Sequence, residues 1–120
     1  MIRTNEEIEL EFQKLELEKE DFMREMKKIK SHLESEEWED RRQYNEIANM
    51  REACSAQDSR MIGMLEELEE NLRRVNIERH SIMDSLIDVE KKKRLEWNIL
   101  EERLCDEQAR INEQENEDAE

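Results

Sequence analysis

Proline is absent from the 120-residue chain, and glycine occurs once, as Gly63. Sharp turns therefore have almost no source, and nothing after Gly63 obliges a helix to stop. Aromatic residues make up 4% of the chain, too few, together with the missing turn residues, for a globular α/β or all-β core. The two cysteines, Cys54 and Cys105, are too few and too poorly placed for a disulfide framework and read as reduced thiols, Cys54 as a small apolar filler. No apolar run approaches the roughly 18 residues of a membrane span, and the opening Met-Ile-Arg-Thr-Asn lacks the pattern of a signal peptide. The expectation is a cytoplasmic protein without membrane insertion; export together with a cargo stays open.

What the chain does have is charge and rhythm. Charged residues are 46% of the sequence and the net charge is -15, which opposes binding to nucleic acid or to an anionic membrane. From Met61 to Leu100 the residues Met61, Leu65, Leu68, Leu72, Val75, Arg79, Ile82, Leu86, Val89, Lys93, Glu96 and Leu100 alternate spacings of four and three. A 3.5-residue period keeps one stripe against a neighbouring helix over many turns. Ile8, Phe12, Leu15, Lys19, Phe22, Met26, Ile29 and Leu33 show the same rhythm, which weakens at Glu36, Asp40 and Gln43 and recovers at Ile47, Met50 and Cys54. The weak interval reads as continuous helix, the alternative being a loop between two shorter helices.

These patterns predict an all-α fold, a long antiparallel helical hairpin completed into a bundle by a partner or a second copy. Residues 1–5 are a polar lead in which Thr4 or Asn5 caps a first helix over 6–54; residues 55–59, with Ser55, Asp58 and Ser59 as caps, form the turn; a second helix covers 60–111; residues 112–120 are an acidic, disordered tail. Partners' numbers should then sum to about 115. That places Glu36 near Arg79, Lys19 near Glu96, Asp40 near Arg74 or Val75, and Lys93 near Asp21 or Phe22. Gly63 either admits a close helix crossing or reflects helix start-up near the turn.

Apolar residues off these two stripes remain. Ile62, Met83, Trp97, Leu104 and Ile111 share a heptad position beside the second stripe, with Ile87 and Ile99 nearby, and Leu10, Leu17 and Trp38 share an outward position on the first helix. A two-helix hairpin burying one stripe per helix leaves these ten wet, so they are the candidate partner-binding residues. No catalytic or cofactor-binding constellation is present: the only histidines, His32 and His80, lack ligand-type companions at a specific spacing, and no metal or cofactor is expected.

An acidic chain of this length, with two heptad-bearing arms and the closing segment Leu95-Glu-Trp-Asn-Ile-Leu-Glu-Glu-Arg-Leu104, resembles the small helical targeting factors (the Lap family) that accompany LXG-domain toxins of the type VII secretion system. The resemblance implies a non-enzymatic, chaperone-like adaptor that binds the helical LXG domain, often beside a second small helical factor. The Trp-x-Gly turn of related secreted hairpins is missing, since Trp38 and Trp97 are followed by Glu39-Asp40 and Asn98-Ile99. Tyr44 leads to Ala48, Phe12 to Glu16 and Phe22 to Met26, so the export motifs built on Tyr or Phe are absent too. Within the resemblance, this chain is then the partner that stabilises the toxin domain. The alternative is a structural homodimeric coiled-coil scaffold or stalk, and a third reading is a regulator that blocks an enzyme with its acidic surface.

Overall fold

The computed structural model describes residues 4–54 and 57–119. Two helices account for nearly all of them, α1 (Asn5–Ala53) and α2 (Ser59–Ala119), packed antiparallel as a helical hairpin. α1 begins where a cap is available: the Glu7 amide donates to Thr4 Oγ1 at 3.2 Å, the Ile8 amide to the Thr4 carbonyl at 3.1 Å, and Glu6 and Glu7 lie at the positive end of the helix dipole. Asp58 does the same for α2, accepting from the Met61 amide at 3.3 Å. Of the other two expected caps, Ser59 is the first residue of α2 and Ser55 lies outside the described residues. α1 runs unbroken through residues 34–43, because strong helix formers occupy that polar stretch and no Gly or Pro interrupts it.

α2 does not stop at Ile111. It continues to Ala119 across most of the stretch expected to be disordered. Gln, Glu and Ala favour the helix there, and Asn5 Nδ2 reaches Asn112 Oδ1 at 3.4 Å and Glu115 Oε1 at 3.5 Å.

The chain divides into two compact units. The first combines residues 4–26 with 87–119. Its core is Ile8, Leu15, Trp97 and Leu104, with Phe12, Phe22, Met23 and Ile111 packed against it. The Phe22 and Trp97 rings meet edge to face, 5.3 Å between centroids at 83°, the geometry that the ring quadrupoles favour. Lys19 pairs with Glu101, and Lys93 lies 3.8 Å from Glu18.

The second unit, Lys27–Leu86, buries Leu33 and Ile47 of α1 and Leu65 of α2. It also buries Arg79, whose Nη2 is 2.6 Å from Asp40 Oδ2 and whose Nε is 3.7 Å from Glu36 Oε2. Arg51 bridges to Glu66 at 2.8 Å and to Glu69 at 3.1 Å. Glu36 thus meets Arg79 as expected, but Asp40 meets Arg79 rather than Arg74, Lys19 meets Glu101 rather than Glu96, and Lys93 reaches Glu18 rather than Asp21. Most paired numbers sum to about 118 rather than 115, because charge pairing and the Trp97 core select a register a few residues away from the one the turn alone suggests.

Candidate protein-binding face

On α2 the residues turned inward include Ile62, Leu65, Glu69, Leu72, Asn76, Arg79, Met83, Leu86, Glu90, Lys93, Trp97, Glu101, Leu104 and Ile111. This seam lies one residue away from the expected one. Leu65, Leu72, Arg79, Leu86 and Lys93 belong to both. Met61, Leu68, Val75, Ile82 and Val89, expected inside, are instead 44–50% exposed, and Leu100 is exposed as well.

Periodicity alone does not choose between two apolar series one step apart. The choice follows from what each series offers. Turning Trp97, Leu104 and Ile111 inward encloses a far larger apolar area than Glu96 would, and turning Glu69 inward brings it to Arg51. α1 rotates slightly as well: the half-buried Lys30 and Glu37 take over from Ile29 and Glu36, which are exposed.

The ten expected partner-binding residues therefore fall into two groups. Trp97 and Leu104 are buried within the hairpin itself, at 4% and 5% exposure, and Ile62, Met83 and Ile111 are half-buried. Leu10, Leu17, Trp38, Ile87 and Ile99 are exposed but share no single face. Leu10 and Leu17 point away from α2 in the first unit, Trp38 stands alone in the second, and Ile87 and Ile99 are about 120° apart around α2 by helical geometry.

A face that the sequence had assigned to the interior takes their place. In the second unit Met61, Leu68, Val75 and Ile82 form a strict seven-residue row along α2, each just preceding an inward residue. On α1, Ile29 and Glu36 precede the half-buried positions 30 and 37 in the same way, and Gln43 and Met50 continue their row at heptad spacing beside the exposed Tyr44 and Arg51. Because the helices run in opposite senses, stepping back one residue on either rotates toward the same side of the pair. The two rows therefore floor one shallow groove, with Met50 and Ile29 (56% and 43% exposed) adding to the apolar row of α2. At Val89 the same spacing continues along α2 in the first unit.

The opposite side of this unit is mixed: Tyr44 and Leu72 line a recess there together with Glu37, Arg41, Arg73 and Asn76, with Arg41 held by Glu37 at 2.9 Å, Arg73 by Glu70 at 3.6 Å, and His80 Nε2 lying 3.9 Å from Glu37. His32 sits 2.9 Å from Glu36. Among the described residues no group of three His, Cys, Asp or Glu side chains could hold a metal ion, and no helix is long and apolar enough to cross a membrane. Among the described residues nothing lies within 4 Å of where a Cβ would stand at Gly63, so no close helix crossing is made there.

Arg79 lies at the edge of the groove floor with its side chain 8% exposed. Its Nε and Nη1 find no hydrogen-bond acceptor. Such a buried ion cluster adds little stability compared with an apolar trio, but it penalises any register that separates Arg79 from Asp40 and Glu36. Comparison with known protein families, characterised proteins and solved structures finds no match to this chain.

Proposed function

We propose that the chain is a non-enzymatic helical adaptor that receives a helical segment of another protein along the groove floored by Met61, Leu68, Val75 and Ile82. The observation that supports it is a strict apolar heptad left exposed beside a seam that is already filled. A seven-residue repeat is what a helix shows to another helix; scattered surface apolar residues have no reason to keep that period. Half-burying four such side chains again would contribute about 1 kcal/mol each, enough together to matter against the cost of association only when a whole helix docks.

The resemblance to targeting factors of the type VII system supplies the partner in this proposal: the helical domain of an LXG toxin, shielded in the cytoplasm until export. The test is co-expression with such a domain from the same genome, followed by size-exclusion chromatography of the wild type and of a Leu68→Glu/Val75→Glu variant. Co-elution of the wild type alone supports the adaptor reading. Separate elution of the wild type, or co-elution of the variant, overturns it.

A further inference from the structure

Resting on that docking face, we propose that its occupant is a single amphipathic helix carrying Lys or Arg along both edges of its apolar stripe. The groove carries exposed carboxylates at both edges, two on α1 and one, flanked at heptad spacing by Asn71 and Ser85, on α2. Three residues beyond the floor position Glu36 stands Glu39, with Glu46 a heptad later; three residues beyond the floor position Val75 stands Glu78. A step of three turns each of these outward from the floor toward the same side of the hairpin.

Glu39 and Glu78 stand at one level, since Glu37 faces His80 and Asp40 faces Arg79 on either side of them. Both are exposed, and neither makes an ion pair among the described residues. Among the described residues Glu46 is engaged by Arg42 alone, at 3.6 Å, where both side chains are more than half exposed and the pair is weak. The cation at the floor, Arg79, is already shared by two carboxylates. A helix lying here therefore meets the apolar row of α2, Ile29 and Met50 below, and an unpaired carboxylate at each edge, Glu39 on α1 and Glu78 on α2, the pattern that selects basic flanking positions in coiled coils. A second copy of this chain would set these rims against like charge on molecules of net charge -15, which disfavours it as the occupant.

The test uses the full chain and two labelled four-heptad peptides with the same Leu core, one flanked by Lys and one by Glu, with binding followed by fluorescence anisotropy. The Lys-flanked peptide is expected to bind about tenfold more tightly at low salt, with the preference shrinking as ionic strength rises. A Glu39→Gln/Glu46→Gln/Glu78→Gln variant should reduce that preference to about twofold while still binding, since the floor is intact. A preference that survives in this variant would reflect the overall charge and overturn the assignment to the rims. Equal binding of both peptides would overturn the charge assignment and leave the docking face standing, whereas loss of the toxin complex described above removes the face itself. Sedimentation equilibrium showing a dimer that Val75→Glu dissolves would also overturn it, making a second copy the occupant.

Discussion

Replacing Trp97 by alanine should cost the hairpin about 3–5 kcal/mol, the range for emptying a buried aromatic site. The side chain is 4% exposed, meets Phe22 edge to face, and belongs to the core with Ile8, Leu15 and Leu104. The aromatic pair accounts for about 0.5–1.5 kcal/mol of the loss beyond area. Trp97→Phe should cost much less, because it keeps most of the contact and removes an indole Nε1 that has no hydrogen-bond partner, a group whose burial itself costs about 1–3 kcal/mol. Trp38, 65% exposed, is the internal control: Trp38→Ala should stay within about 0.5 kcal/mol of wild type. Urea unfolding followed by circular dichroism at 222 nm measures all three. With only two tryptophans in the chain, the Trp38→Phe variant also reports Trp97 alone, whose emission should be blue-shifted and shielded from acrylamide. If Trp97→Ala and Trp38→Ala shift the urea midpoint equally, the inward placement of Trp97 is wrong.

Three further outcomes follow from the geometry. Gly63→Ala should stabilise the protein by about 0.5–1 kcal/mol, since helix propensity rises and the new methyl meets nothing within 4 Å; thermal melting checks it. Asp40→Ala should destabilise by about 1–3 kcal/mol in urea, because it strips the 2.6 Å partner from the buried Arg79, whereas Arg79→Met should be neutral or stabilising. Asp58→Ala should cost about 1 kcal/mol by removing the acceptor for the Met61 amide, visible as a lower melting temperature with unchanged helix content after cooling.

The two helices and their antiparallel packing could be read from the sequence because long heptads without Gly or Pro have few alternatives. The inward face of α2 could not. Two apolar series, Met61-Leu68-Val75-Ile82-Val89 and Ile62-Met83-Trp97-Leu104-Ile111, lie one residue apart, and each is credible as a seam when viewed by period alone. What separates them is the company each keeps across the hairpin: Phe22 for Trp97, Arg51 for Glu69. Those contacts depend on register, which a turn without Gly or Pro specifies only loosely. The excess of apolar surface over what two helices can cover was visible beforehand; which residues make up the excess was not. The end of α2 is a matter of propensity rather than register. Acidic composition suggests disorder after Ile111, but Glu113, Gln114, Glu115 and Glu117 favour the helix and extend one already nucleated, so the cost of starting one does not apply.

Ile82 and Met83 are neighbours in the chain yet belong to different faces, so the pair offers the most direct test of the account. Urea midpoints should be measured for Ile82→Glu and Met83→Glu. The structure predicts that Met83→Glu loses about 1–3 kcal/mol by placing a carboxylate in the seam, while Ile82→Glu unfolds within about 0.5 kcal/mol of wild type. A destabilised Ile82→Glu beside an unaffected Met83→Glu would put the seam on the other series and contradict the exposed binding face.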